Sequence, residues 1–357
     1  MPEKVKLTPQ AEEIAGRPAN LPENLGFGEV FTPLMLTMRY ADGAWGEPII
    51  EPYGKLDIEP ACAVLHYSQQ IFEGLKAHGL ADGSVAIFRP DKYAERFNNS
   101  ADRMGVPQID KDYLVQLIAE YTKVVKAWVP TQNGASLYLR PLLFGTDNFL
   151  GLRKSLTYLF IIMSSPVGAY FKTGIKPIRV VVEREYVRAV KGGTGFAKTG
   201  GNYAAALKAS VIAKEKGFDQ VVWLDAIRKK WVEELGGMNL FFVINGNLLT
   251  SPLTGSILPG VTRASIIDLA KKMGIKAKQK LIAINDLLKQ IESGECTEGF
   301  ACGTAAVITP IASITDGDKE YVIRDGEAGE ITRDLYTALT DIQYGRAKAP
   351  RGWLLKV

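Results

Sequence analysis

The chain has 357 residues, 46% hydrophobic and 23% charged, with a formal net charge of +4. At roughly 150 residues per domain this is an ordinary soluble composition with room for about two domains, and it can bury a core without disulfides or metals. Lysine and arginine are mixed with aspartate and glutamate, so there is no electrostatic footprint for nucleic acid.

The two histidines, His66 and His78, form no H-E-x-x-H, and the three cysteines, Cys62, Cys296 and Cys302, form no C-x-x-C. Neither a zinc site nor a disulfide framework is expected, which fits a reducing compartment. Residues 1–24 are polar and hold Pro2, Pro9, Pro18 and Pro22, so a loosely ordered arm is expected there. With no apolar run, with Glu3, Glu12 and Glu13, and with Arg17 the one early arginine, this segment reads as neither a secretory signal nor a mitochondrial transit sequence. Apolar runs such as Leu156 to Met163 and Leu240 to Ile244 have strand length, below the roughly 18 residues of a membrane span. A cytoplasmic protein without membrane partners is expected.

Further along, Asp42-Gly43, Asp82-Gly83, Asn245-Gly246 and Asp316-Gly317 each separate apolar or alternating runs. Such dipeptides favour the tight turns of antiparallel hairpins, which predicts antiparallel or mixed sheets with flanking helices, a mixed α+β and α/β fold. Residues 112–128 place Val115, Ile118, Val125 and Trp128 at helical spacing. Residues 262–273 do the same with Ile266, Leu269, Ala270 and Met273, and Gly274 ends the pattern. Glycine and proline in 171–178 predict a linker. It would divide a smaller α/β domain, 1–170, from a larger one, 179–357, that carries Lys198.

Lys198 stands in GGTGFAKTGGNYAAALKAS, residues 192–210, among glycines that let backbone turn tightly and approach a ligand closely. One reading is a phosphate-binding P-loop, G-x-x-x-x-G-K-[ST]. Ala197 stands where its second glycine should be, although Val221 to Asp225 resembles an apolar strand ending in a metal-binding acid. The other reading is a nucleophilic lysine, which reacts as the neutral amine and so needs a site that disfavours the ammonium. On this segment alone the choice stays open, beside that of an ordinary solvated lysine.

A pyridoxal-phosphate site would need an anion cradle, an acid for the pyridine nitrogen and a donor for the ring oxygen. Leu258-Pro259-Gly260-Val261-Thr262-Arg263 runs straight into the helix predicted at 262–273, so free N–H groups there can hold phosphate. Gly303-Thr304-Ala305-Ala306 offers a second small-residue turn, and Glu234 precedes an apolar strand.

Together these segments resemble the branched-chain aminotransferases of pyridoxal-phosphate fold type IV. The stretches that carry the resemblance are FEGLKAH (72–78), LYLRPLLFG (137–145), PVGAYF (166–171), AKTGGNY (197–203), ELGGMN (234–239), LPGVTR (258–263), ACGTAAV (301–307) and DIQYG (341–345). It covers the chain from about Phe27 to the C-terminus.

The resemblance implies pyridoxal 5′-phosphate as cofactor and a transamination in two half-reactions between a branched-chain amino acid and 2-oxoglutarate. Lys198 matches the Schiff-base lysine and proton carrier, Tyr203 the tyrosine on the ring oxygen, and Glu234 the acid on the pyridine nitrogen. Arg96, Val261, Thr262 and Thr304 match the phosphate contacts. Phe27, Tyr67, Phe72, Tyr138 and Tyr170 match an aromatic wall around an aliphatic side chain. Arg140 matches an arginine near the substrate carboxylates, and Thr304 and Ala305 match the α-carboxylate site. Leu150 and Leu152 match a loop donated by the other subunit of a homodimer. Vertebrate members carry a redox-active C-x-x-C after the GTA turn; here Ala306 and Thr309 stand at those positions, so no such thiol switch is expected. The alternatives within the fold are a D-amino acid aminotransferase and an aminodeoxychorismate lyase.

Overall fold

A computed structural model describes residues 5–17, 20–169 and 175–357. All four predicted hairpins are present, each joining antiparallel strands. Asp42 and Gly43 have φ of 52° and 80°, and Asn245 and Gly246 of 48° and 71°, the left-handed pair that a two-residue hairpin turn demands.

The residues group into two compact units. The first holds Met1–Tyr170, Ala197–Gly200 and Ile342–Val357; the second holds Phe171–Phe196 and Gly201–Asp341.

The first unit is built on a 10-stranded sheet. Its main path runs through strands Lys6–Leu7, Ile49–Pro52, Leu34–Ala41, Tyr158–Val167, Ser136–Gly145, Leu75–Gly79, Val85–Phe88 and Leu354–Lys356. Only the first pair in that order is parallel. Helices Pro90–Met104 and Lys111–Val124 pack against each other. The second of these buries Leu114, Leu117, Ile118 and Tyr121. Of the predicted apolar face, Ile118 and Val125 are buried, but Val115 and Trp128 are only half-buried: the core lies one position round the helix from the stripe read from spacing. Tyr121 reaches through the core, its hydroxyl meeting Leu34 O at 2.9 Å, Ser164 Oγ at 2.8 Å and Thr32 Oγ1 at 3.0 Å. The expected loose N-terminal arm is in part structured. Lys6–Leu7 adds a strand edge, and helix Pro9–Ile14 is capped by Thr8 and buries Ala11.

The second unit carries a 9-stranded mixed sheet. Strand Ile178–Val182 lies parallel to both Gln220–Leu224 and Val307–Asp316, and an extra pairing of Val232–Leu235 with Met238–Ile244 closes the path on itself. Strand Gln220–Leu224 is buried on both faces. Val222 and Leu224 enter the cluster that holds Leu287, Leu288 and Ile291, while Val221 and Trp223 meet Ala209 and Ala213. That is why its sequence is continuously apolar. Helix Val261–Lys272 begins one residue before the predicted start, and Gly274 follows it at φ 76°. No helix among the described residues is long and apolar enough to cross a membrane.

Candidate active site

Alternation along strand Ser136–Gly145 sends Leu137 and Leu139 into the core of the first unit and leaves Tyr138 and Arg140 together on the opposite face. Arg140 Nη2 donates to the Tyr138 hydroxyl at 3.1 Å, and Phe27 packs edge-on against Tyr138 with centroids 4.9 Å apart. Gly74 is required beside this ring, because a Cβ there would sit 1.8 Å from the Tyr138 oxygen. Arg140 lies 4.8 Å from the centre of the Phe72 ring, and Lys198 Nζ lies 4.8 Å from the same centre. Arg140 Nε is buried without a hydrogen-bond partner among the described residues, a donor suited to a bound carboxylate.

Lys198 is fixed by its backbone. Its N–H donates to Ser100 Oγ at 2.9 Å, its carbonyl accepts from Phe72 N at 3.0 Å, and Thr199 Oγ1 donates to Gln70 O at 2.7 Å. The segment therefore lies along strand Gln70–Phe72, and the Gln70 amide packs against Gly200, 2.3 Å from where a Cβ would sit.

Arg96 sits buried on helix Pro90–Met104. It forms a two-pronged pair with Glu73, Nε to Oε1 at 2.7 Å and Nη2 to Oε2 at 2.8 Å. Tyr67 donates its hydroxyl to the carbonyl of Leu150, tying the 149–152 loop to helix Ala63–Tyr67. Leu150 and Leu152 are 63% and 82% exposed, an apolar tip left uncovered within one chain. Tyr170 lies outside the described residues.

The second unit assembles a different set. Glu234 is buried on strand Val232–Leu235, ion-paired with Arg188 and accepting from Asn239 Nδ2 at 3.0 Å. Asn239 also donates to Leu258 O at 3.0 Å, and its Oδ1 stands where a Cβ on Gly260 would lie 2.0 Å away. The same amide thus locks both the acid and the start of helix Val261–Lys272. Val261, Thr262 and Arg263 are buried in that first turn, which has no side-chain cap and no acid, a geometry suited to an anion. Arg263 turns away, donating to Ser251 O at 2.7 Å. Tyr203, Arg188, Glu234 and Leu258 line one cavity. Asn202, next to Tyr203, bonds twice to Thr194, closing the glycine loop. Thr304 and Ala305 form the half-buried turn between strands Cys296–Gly303 and Val307–Asp316.

Sequence reasoning missed Arg188, Glu73, Ser100 and Asn239. Glu73 and Asn239 lay inside quoted motifs, whereas Arg188 and Ser100 carried no local signal. The P-loop alternative fails on geometry. Asp225 accepts from the backbone N–H of Arg228 at 2.7 Å, Lys230 at 2.8 Å and Trp231 at 2.7 Å, so it closes a turn. Among the described residues no His/Cys/Asp/Glu group could hold a metal.

A lysine clipped to a sheet edge, a buried acid locked by an amide and an uncapped buried helix start are the parts of an amino-group-transferring enzyme, and residues 70–314 match the amino-transferase class IV family, to which the chain belongs. Its relatives narrow this. It is 47% identical to branched-chain-amino-acid transaminase 1 of Bacillus subtilis (strain 168), over 94% of this chain and 95% of that one. It is likewise 47% identical to branched-chain-amino-acid aminotransferase 2 of the same organism, over 96% and 94%. The fold is that of the type IV aminotransferases. The branched-chain amino acid aminotransferase of Escherichia coli superposes with a TM-score of 0.73 at 27% identity, covering 89% of this chain and 98% of that one. The T.th. branched-chain amino acid aminotransferase, crystallised with pyridoxamine 5′-phosphate, gives 0.73 at 27% identity over 89% and 97%.

Proposed function

We propose that the chain transfers the amino group of L-leucine, L-isoleucine or L-valine to 2-oxoglutarate, reversibly and in two half-reactions, with pyridoxal 5′-phosphate as cofactor. The observation that carries this reading is Lys198, held by its backbone against strand Gln70–Phe72 with its amine over the Phe72 ring that Arg140 also meets.

The residues fit the cofactor. The buried, uncapped start of helix Val261–Lys272 suits its phosphate, and the buried carboxylate of Glu234 suits a protonated pyridine nitrogen. When bound, the cofactor supplies an electron sink for the bond breaking at the substrate Cα.

Lys198 would hold it covalently and, once displaced by the substrate amine, carry the Cα proton. Glu234 keeps the ring nitrogen protonated, with Arg188 as its counter-charge and Asn239 fixing its orientation. The Tyr203 hydroxyl meets the ring oxygen. The N–H groups of Val261 and Thr262, the Thr304 hydroxyl and Arg96 meet the phosphate. Glu73 holds Nε and Nη2 of Arg96 and so fixes the plane of its guanidinium.

Phe27, Tyr67, Phe72 and Tyr138 form the apolar wall for the aliphatic side chain, and Arg140 with Thr304 and Ala305 receives carboxylates. Leu150 and Leu152 close the pocket of a neighbouring subunit in a homodimer, which their exposure supports. The three cysteines are buried and free, which supports the cytoplasm as the compartment.

Purified protein is expected to be yellow, to bleach with leucine, and to fix the cofactor on Lys198 after borohydride. A colourless protein that pyridoxal phosphate does not reconstitute, or an adduct on another lysine, refutes the reading.

A further inference from the structure

Glu233 stands beside Glu234 in sequence but serves a different space. In the register of strand Val232–Leu235, Glu234 pairs with Trp223 and Val232 with Leu224, which leaves Glu233 as the extra residue of a β-bulge. A bulge re-aims the side chain it carries. Glu233 lines a cavity of about 160 Å³ that shares no lining residue with the cavity of Glu234. Val190, Ile227, Trp231, Val232, Pro252 and Ile257 give it apolar walls, and Ile227, 80% exposed, borders solvent.

The hydroxyls on these walls are all spent. Ser256 Oγ donates to Glu233 Oε1 at 2.5 Å, so Thr254 Oγ1, 3.0 Å from Ser256 Oγ, donates to Ser256. Ser251 Oγ donates to the carbonyl of Val232 at 2.5 Å. Asp225, the other acid of the lining, accepts backbone N–H groups of its own turn. Lys191, the one base of the lining, is exposed and forms no ion pair among the described residues. Arg188, whose charge acts on Glu233, is paired with Glu234 instead. Glu233 is itself only 9% exposed, and Ser256 is its one hydrogen-bond partner among the described residues. Burial raises its pKa above the ordinary carboxylate value. Oε2 is thus an acceptor without a donor, on the wall of an otherwise apolar cavity.

A buried carboxylate in this state calls for a cation that brings its own donors. A divalent metal does not fit, because it needs about six oxygen ligands and these walls offer mostly carbon. An organic ammonium fits both parts, with N–H groups for Oε2 and hydrocarbon for the walls. A cavity of about 150 Å³ holds a body the size of benzene, so the ligand is small.

We propose that this cavity is a binding site for a small primary alkylammonium ion, whose ammonium meets Glu233 and whose hydrocarbon body lies against Trp231, Ile227 and Ile257. The site is separate from the one assigned to amino-group transfer and does not depend on that reading.

The experiment uses protein loaded with pyridoxal phosphate and reduced with borohydride, so that no added amine exchanges onto the cofactor. 3-Methylbutylamine and 3-methylbutanol carry the same branched body and differ in the head. Binding is followed by calorimetry and by tryptophan fluorescence, to which Trp231 contributes. The amine is expected to saturate at about millimolar concentration or below. The alcohol should bind about tenfold or more weakly, for want of a charge-assisted contact. Glu233→Gln keeps the shape and the acceptor for Ser256; it should weaken the amine by about tenfold or more and leave the alcohol within about threefold. Trp231→Phe should abolish the fluorescence response while the heat of binding remains. Three results overturn the proposal: no saturable binding of the amine at about 10 mM, a concentration that a site of this kind would fill; equal affinity for amine and alcohol in the wild type, a comparison that needs no variant; or amine binding that Glu233→Gln leaves unchanged. A fluorescence response that survives Trp231→Phe puts the amine elsewhere and overturns it too.

Discussion

Replacing Glu234 with Gln removes one charge and keeps the shape, so its effect separates electrostatics from packing. Glu234 is buried beside Arg188, whose side chain is itself 9% exposed. Arg188 also donates to Ser256 O at 2.8 Å, which holds it beside its partner. Breaking one side of a buried pair costs about 3–5 kcal/mol, most of it the uncompensated charge left behind. Glu234→Gln should therefore lower the free energy of unfolding by about that amount, as read by urea titration of the cofactor-free protein. It should also cut proton abstraction from leucine by about 100-fold or more, the usual loss when a preorganised electrostatic partner is removed. Adding Arg188→Met should recover most of the stability and none of the rate, because the orphaned charge goes but the acid on the ring nitrogen is still missing. Wild-type stability together with near-normal turnover in Glu234→Gln would refute both the buried pair and the assignment.

Burial pushes the Cys296 thiol up to about 12 and raises that of Cys302 further, so both remain protonated at neutral pH. A disulfide-exchange reagent at pH 8 is expected to leave these two unlabelled in the native protein and to label them after denaturation; fast native labelling of either would contradict their burial. His78 is expected to make the protein acid-sensitive. It is buried, neither ring nitrogen has a hydrogen-bond partner among the described residues, and burial with the Lys76 charge lowers it from 6.5 to about 3. The unfolded chain then binds a proton that the folded one refuses, so its contribution is intact above pH 6.5 and is lost as pH falls from there toward 3. His78→Phe should flatten the pH dependence of the unfolding midpoint below pH 6.5, and an unchanged slope would refute the assignment.

Residue order was enough to place the turns, because Asp-Gly and Asn-Gly fit a backbone conformation that few other pairs adopt, and that local chemistry holds wherever the strands go. It was also enough to place the start of helix Val261–Lys272 to within one residue, and to mark Lys198 and Glu234 as candidates through the short motifs that hold them. Helix Lys111–Val124 shows the limit: spacing revealed a helix but misplaced its buried face, since Leu114 and Leu117 are core residues by virtue of what packs on them, not of their interval. The partners of the site lay beyond reach for the same reason. Arg188 meets Glu234 across 46 positions of sequence (234 − 188), and Ser100 meets Lys198 across 98. A hydrogen bond or an ion pair depends on distances of a few ångströms, and only the folded sheets bring such remote positions that close.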